Sequence, residues 1–595
     1  MAVGIAPSRR HKGGMKGIGT MALMIKRVER PRELKWYHAG AMLYGDWGTS
    51  KAYVLGIAFA LAGHASWFFL GLMSLLMILI GVCYMVVCRI YPDGGGVYSS
   101  VKQRSQTLAM IGALLLIADY VVTVSLSVLD AFHYFNVPNP ELWAIGAILS
   151  IGAISWVGPT KGGTVATVIA ILASLTALIL FAFTVPSLSH VQLTMPVGGF
   201  MKNWPVFVGI VLALSGVEAI ANLTGVMVEP VKKTSRRAIF PVMIEVAILT
   251  FLLGVAMNAV PGLQGHTEDM LRALGNHYIG PWYGAVISII FGCLLLSAGN
   301  TAIMGLVGIQ FALAKDHELP PVFAKLNRFG MPSLALIVAT LLPIIVIIVE
   351  KDIVHLAALY AIGVVGAITL NLATSATNFS IRLKLWERVL LATGAIITLF
   401  IEVTIAIQKQ NALFFVLTIL GVGLLLRYAA KMVVPAPMPE LASTVNVLTV
   451  AEAKELTSLY KSSALVALKS FNPVLLEEAA LHVKAMGENS VYLSYVEETP
   501  PSPELPTEME PSRESVEVLA QAQEKMETLG ITAVPIWQIG DNPGRLIARA
   551  AQDLDVRTVA IGATKRSALI SLLRGDVLRT LAHSLRKECH LLIVG

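Results

Sequence analysis

Residues 44–53 read Tyr44-Gly45-Asp46-Trp47-Gly48-Thr49-Ser50-Lys51-Ala52-Tyr53 and lie inside an otherwise apolar stretch, 40–63. A bilayer core takes about 20 apolar residues per helix. Two glycines, an acid, two hydroxyls and a lysine do not suit a regular helix facing lipid, where charge is costly and usually marks a pathway. They suit a discontinuous helix. Backbone opened near the bilayer midplane frees carbonyl and amide groups to hold a polar solute. Gly45 and Gly48 predict the opening, and Asp46 is the acid set inside it.

The whole composition agrees with a membrane setting. Of 595 residues, 55% are hydrophobic and 14% charged, against roughly 25% charged in a typical soluble domain. Mean hydropathy is +0.71. So few charges cannot cover a water-facing surface. That excludes a disordered chain, a secreted disulfide scaffold and a purely soluble enzyme. About twelve apolar stretches are candidate spans: 40–63, 66–90, 107–132, 141–158, 163–186, 205–228, 239–261, 281–313, 332–349, 353–376, 386–407 and 411–433. The eighth is long, and Gly299 is predicted to interrupt it.

Lys and Arg crowd the loops on one side, fourteen against four (Lys202, Arg272, Lys351 and Lys409). With an even number of spans this predicts both termini in the cytoplasm, for a multi-pass protein of a bacterial or archaeal cytoplasmic membrane. Residues 1–39 form a basic arm whose nine Lys/Arg against Glu29 and Glu33 account for the whole net charge of +7. Such an arm suits anionic lipid rather than nucleic acid. The first 20 residues hold no apolar run of a cleavable leader. The four cysteines form no CxxC pair and read as small buried hydrophobes in a reducing compartment.

Polar residues recur inside later spans. The sixth carries Ser215-Gly216-Val217-Glu218-Ala219-Ile220-Ala221-Asn222. Gly-interrupted breaks in spans one and six are what two inverted five-helix repeats would produce. In the third span Asp119, Thr123 and Ser127 stand at i, i+4 and i+8 and share one helix face. Span eight adds Ser297, Asn300 and Thr301. Glu245, in span seven, reads equally as a proton relay or a structural hydrogen-bond partner. Lys51 is the residue that complicates a cation site. At 100° per residue, Asp46 and Tyr53 lie about 20° out of register, whereas Lys51 lies about 140° from Asp46 and about 200° from Tyr53. It faces away from both wherever the segment stays helical.

The chain divides into the arm (1–39), a transmembrane domain (40–434), a linker (435–445) containing Pro435, Pro437 and Pro439, and a charged module (446–595). Strands are predicted at 464–468, 490–495, 532–538, 558–562 and 590–594. They alternate with helices at 473–486, 515–529, 543–554 and 575–586, with a Pro/Glu/Ser-rich mobile loop at 498–512. This alternation predicts a small parallel α/β domain.

The first-span string Tyr-Gly-Asp-x-Gly-Thr-Ser-x-x-Tyr resembles the opening of KUP-type potassium importers. Tyr91-Pro92-x-Gly94-Gly95-Gly96-x-Tyr98, Asp119-Tyr120-x-x-Thr123 and Gly216-Val217-Glu218-Ala219-Ile220 are similar to the KimA-type branch. Both groups belong to the amino acid–polyamine–organocation (APC) superfamily. The resemblance covers roughly 35–435 and implies a LeuT-like fold with 5+5 inverted repeats. It also implies a secondary transporter importing potassium by proton symport, with potassium contacts from Asp46, Tyr53, Thr123, Ser127, Ser215 and Glu218. Asp119, Glu218 and Glu245 are the candidate proton carriers.

Val559-Ala560-Ile561-Gly562 followed by Gly575 resembles universal-stress-protein domains, whose phosphate loop reads Gly-x-x-Gly-(nine)-Gly-Ser/Thr. Here Lys565 replaces the second glycine and Asp576, whose charge repels phosphate, replaces the hydroxyl residue. The candidate nucleotide contacts are Gly562, Lys565 and Gly575, with Lys469 nearby. The resemblance implies cyclic di-AMP or ATP as a regulatory ligand; a homodimerisation module without ligand is the alternative. No other cofactor is expected. For the membrane body the alternative is a proton-coupled amino acid permease, in which Lys51 would neutralise Asp46 beside a substrate carboxylate. A membrane sensor that transports nothing is a third reading. No metal-ligand cluster, P-loop or nucleophile motif suggests an enzyme.

Overall fold

In a computed structural model, helices occupy every one of the twelve apolar stretches. The structure describes residues 28–29, 32–102, 104–157, 162–191, 193–327, 329–432, 446–455, 462–500, 508–563 and 577–594. The first described element is a short strand, β1 (Val28–Glu29), followed by α1 (Trp36–Trp47), α2 (Ser50–Ala62), α3 (Ser66–Ile90) and α4 (Val97–Lys102). Next come α5 (Gln106–Tyr134), α6 (Pro140–Ser155), α7 (Gly162–Thr184), α8 (Phe200–Gly209), the one-turn α9 (Ala219–Asn222) and α10 (Val231–Ala256). α11 (Met270–Tyr278), α12 (Pro281–Lys315), α13 (Ser333–Val349), α14 (Ile353–Thr377), α15 (Leu385–Gln408) and α16 (Gln410–Met432) complete the helical body.

Among the described residues, eight helical stretches are long and apolar enough to cross a membrane, or nine if the bent pair 200–226 is one span. The first two predicted spans run together in Trp36–Ile90, while Pro140–Ser155 and Ser333–Val349 are shorter apolar helices. The protein is therefore a multi-pass membrane protein, although this measure gives fewer independent spans than twelve. Large apolar side chains such as Leu149, Ile171, Ile396 and Phe414 stay exposed on its outside, as lipid contact requires.

Span eight corrects the sequence reading. α12 runs unbroken for 35 residues through Gly299. That glycine serves packing instead: a Cβ there would stand 2.4 Å from Val128 of α5. Small residues at such crossings let helix backbones approach closely in the absence of a hydrophobic drive between helices.

The module continues with α17 (Val450–Glu455), β2 (Ala464–Leu468), α18 (Pro473–Ala485), β3 (Ser490–Glu498) and β4 (Glu508–Met509). It ends with α19 (Arg513–Thr528), β5 (Thr532–Gly540), α20 (Pro543–Asp553), β6 (Thr558–Gly562), α21 (Val577–Ser584) and β7 (His590–Val594). Strand order is β5-β3-β2-β6-β7, all parallel, with Leu465 opposite Tyr492 and Val559. β2 is buried at every position, as a central strand covered on both faces must be.

Within the predicted loop 498–512, β4 pairs antiparallel with β1, bringing the end of the N-terminal arm onto the module, while residues 501–507 lie outside the described residues. Arg545 adds a 3.1 Å ion pair to Glu33, and Lys315 at the end of α12 reaches Glu497 at 3.2 Å. The N-terminal segment and the module thus sit at the same end of the helical body. The prolines of the predicted linker, and most of the basic arm, lie outside the described residues.

Candidate functional site

The site forms where the two interrupted helices meet. In span one the interruption is mild. Gly48 and Thr49 keep right-handed helical angles, and Thr49 N–H bonds back to the Asp46 carbonyl at 3.2 Å, so the backbone tightens rather than unwinds. Gly45 lies inside α1, not at the break. Trp47 anchors the turn, its indole Nε1 donating to the Ala213 carbonyl at 3.2 Å.

Span six is opened more fully. A 3₁₀ turn over 211–214 leads into Ser215 at φ −54°, ψ 141°, then Gly216 at φ +89°, and the helix resumes at Ala219. Phe200–Gly209 and Val211–Val226 are bent by 49°. Two constraints make residue 216 glycine. Positive φ disfavours any Cβ, and a Cβ here would lie 2.6 Å from Trp47 N and 2.8 Å from Asp46 Cγ. Gly216→Ala is expected to push the two breaks apart and lose transport. Uptake by a stably expressed variant at the parental rate would refute that.

This contact sets Asp46 against Ser215 and Glu218. All three are buried, and Asp46 lies within reach of the Ser215 hydroxyl. Glu218 Oε1 accepts from Gly216 N–H at 3.3 Å. Asp119 approaches Glu218 from α5, and Thr123 Oγ1 lies 2.9 Å from the Asp119 carbonyl and 3.3 Å from its Oδ1. Ser127, buried one turn further along α5, continues the face. Tyr53 is buried on α2, close enough to feel the charge of Asp46. Of the groups predicted from sequence, Asp46, Ser215 and Glu218 meet at the junction, Asp119 stands beside Glu218 with Thr123 on it, Tyr53 lies near Asp46, and Ser127 lies one turn further along α5.

Two groups were missed. Tyr360 of α14 is buried near Asp46, Tyr53, Asp119 and Glu218. The Tyr84 hydroxyl of α3 is buried near Glu218 and Asp119, with no hydrogen-bond partner among the described residues. The signals available were a tyrosine three residues before Gly363, where α14 packs tightly on the Asp119 backbone, and a phenol inside an apolar run.

Lys51 is fully buried and turned away from this junction. Its Nζ lies 2.7 Å from Glu245 Oε2 and 3.1 Å from Tyr44 OH. Glu245 Oε1 also accepts from Tyr44 OH at 3.0 Å and Ser174 Oγ at 3.2 Å. Glu245, a proton-relay candidate by sequence, is placed here as the counter-ion of Lys51. The Gly94–Gly96 loop closes the module-facing side, where Gly95 N–H donates to the Ala221 carbonyl at 3.0 Å and Thr224 Oγ1 at 2.9 Å.

In the module, ligands of open α/β sheets bind beyond the carboxyl ends of the strands. That edge carries Lys469, 2.7 Å from Glu498, and Glu497, held by Lys315. Burial, with help from Glu514, Glu497 and Glu498, pushes the Tyr495 phenol up. Gly562 ends β6; Lys565 and Gly575 lie outside the described residues.

A helical body with paired breaks, and a parallel α/β module at one end, define a membrane transporter with an appended soluble domain. Residues 34–452 match the Amino acid permease family, and the chain belongs to it, within the APC superfamily. Residues 465–594 match the Universal stress protein family. The chain is 25% identical over 427 residues to the potassium transporter KimA of Bacillus subtilis, covering 66% of this chain and 69% of that protein. It is 28% identical over 230 residues to an uncharacterized protein of Methanocaldococcus jannaschii, covering 36% and 52%. The solved structure of MhsT in complex with L-phenylalanine aligns with 64% of this chain and 99% of that one, at 14% identity and a TM-score of 0.42.

Proposed function

We propose that the protein is a secondary active transporter that imports potassium across the cytoplasmic membrane by proton symport, with both termini cytoplasmic. The observation that carries this reading is the convergence of buried oxygens from Asp46, Ser215 and Glu218, with Asp119 beside them, at the junction of two broken helices. Several acids gathered in low dielectric are costly unless something positive sits among them. A monovalent cation that must bind and leave wants several neutral oxygens and few charged ones. Ser215, Thr123, Ser127 and the Tyr53 and Tyr360 phenols supply the neutral set. The likeness to a potassium transporter supports the choice of ion.

Asp119 and Glu218, side by side, are the proposed proton carriers, since burial favours the neutral form of a carboxyl and one proton shared by the pair relieves their repulsion. An inside-negative potential adds about 2.3 kcal/mol per charge per 100 mV toward cation entry. The family's name raises an amino acid substrate, but a substrate carboxylate would meet these acids with Lys51 already paired to Glu245. Purified protein in proteoliposomes with an inside-negative potential is expected to take up ⁸⁶Rb⁺ saturably and faster with an inward proton gradient. Saturable amino acid uptake without Rb⁺ uptake would replace this reading.

The module is proposed to regulate and to dimerise, with cyclic di-AMP or ATP as candidate ligand at the Lys469–Gly562 edge. Truncation after residue 436 is expected to leave Rb⁺ uptake and to change its regulation or the oligomeric state. Complete loss of uptake in a folded, inserted truncation would refute this.

A further inference from the structure

At the module's end of the helical body a cavity of about 270 Å³ opens between the starts of α1 and α10. Lys35, Trp36 and Tyr37 line it from one side, and Glu229, Lys233 and Arg237 from the other. Backbone ties the two sides together. Leu34 N–H donates to the Val226 carbonyl at 2.9 Å, and Val228 N–H donates to the Leu34 carbonyl at 3.0 Å. Further along the two helices, Gly40 packs on the backbone of Ala238.

The cavity gathers three cations and one acid. The acid is already engaged: Arg32, which pairs with Asp93, also reaches Glu229 at 3.6 Å. Among the described residues, Lys35, Lys233 and Arg237 make no ion pair. Arg89, Lys102, Lys315 and Arg427, at the same end of the body, each hold a carboxylate. Neither α1 nor α10 has a side-chain cap or an acid in its first turn, so their free N–H groups add to the positive potential set by the three side chains. An anion seated among these groups relieves their mutual repulsion.

The surroundings select the anion. Sites that enclose a drug-sized ligand occupy roughly 300–1,000 Å³. This cavity is smaller, so it admits a phosphate group and leaves the rest of its carrier outside, which excludes an enclosed nucleotide. Trp36 and Tyr37 stand exposed beside it, as aromatic side chains do at headgroup depth. Phe240, three residues beyond Arg237 on the same face of α10, is exposed as well. α7 comes alongside at Thr167, 3.5 Å from His38, and exposes Val165 and Val168 at the same depth. Charge therefore gives way to lipid-facing apolar surface at the mouth of the cavity. Basic pockets between transmembrane helices are where anionic headgroups bind.

We propose that this cavity binds the phosphate of an anionic phospholipid from the leaflet at the module's end, with the acyl chains outside against α7 and α10. The site is separate from the junction at Asp46 and does not depend on which substrate crosses the membrane.

The test titrates dioleoylphosphatidylglycerol onto the full-length protein in a neutral detergent and counts bound lipid per chain by native mass spectrometry. One tightly bound lipid is expected. Each cation beside an anionic headgroup contributes about a factor of five, so Lys35→Gln/Lys233→Gln/Arg237→Gln is expected to bind that lipid about a hundredfold more weakly. Lys325→Gln/Arg382→Gln/Lys384→Gln removes the same charge from exposed positions at the same end and is expected to bind it like the parent. Equal weakening in both variants would assign the attraction to overall charge and overturn the site, as would no weakening in the first. If the first variant does not fold, Lys233→Gln decides: about fivefold weakening is expected, and none would overturn the proposal. Inorganic phosphate separates the two sources of the anion. At millimolar concentration it is expected to leave the bound lipid in place. Displacement of the lipid, with phosphate alone protecting the parent against heat, would overturn the lipid assignment in favour of a soluble phosphate.

Discussion

Asp46→Asn is expected to abolish Rb⁺ uptake in proteoliposomes while the protein still folds and inserts. Asparagine keeps the shape and one carbonyl oxygen of the acid. It removes the charge, and removing one charged partner from a buried cation contact costs about 2–5 kcal/mol, roughly 30- to several-thousand-fold in affinity. Stability should not suffer. Among the described residues Asp46 makes no ion pair, its one polar side-chain neighbour is the Ser215 hydroxyl, which an amide oxygen can also accept from, and neutralising a buried charge relieves desolvation. The two readouts separate a site residue from a structural one. Unimpaired uptake by the variant would remove Asp46 from the ion's path, whereas failure to fold would give it a structural role instead. The same argument predicts a smaller loss for Ser215→Ala, which removes one neutral oxygen from the cradle.

Much of this site was legible because charge in an apolar run is rare and costly. Asp46, Asp119 and Glu218 announce themselves against their neighbours, and the α5 face follows from helical spacing alone. The direction of Lys51 was legible for the same reason. Residues 46–52 keep helical angles, so the 140° offset from Asp46 survives in three dimensions and Lys51 meets α10 instead. The strands of the module could be read from continuous apolar runs between turn residues, and β2, β6 and β7 fall where predicted.

What sequence did not give is contact over long separations. Nothing local says that Glu245 is the partner of Lys51, or that Val28–Glu29 pairs with Glu508–Met509. Gly299 illustrates a different failure. A glycine in a long apolar run reads equally as a break or as a crossing point, and only the neighbouring α5 decides.

Lys51→Met alone is expected to destabilise the protein, by about 3 kcal/mol, because it leaves Glu245 as a partly buried acid without its cation. The structure gives the reason: Lys51 is 0% exposed, and Glu245 is held only by Tyr44 and Ser174 once the ammonium is gone. Poor expression of that variant therefore says nothing about transport. The informative protein is the double variant Lys51→Met/Glu245→Leu. Replacing a buried ion pair by apolar side chains of similar volume is often neutral or stabilising, so thermal stability should return toward that of the parent. Rb⁺ uptake should return with it, to within about threefold, because the pair points away from the Asp46–Glu218 junction and independent sites combine nearly additively. A double variant that is stable yet cannot transport would show that the Lys51 ammonium itself takes part in the cycle, as a tethered cation or as a contact for an anionic substrate. Saturable amino acid transport by the parent, lost in the double variant, would favour the second of these and move the substrate from a metal ion to an amino acid.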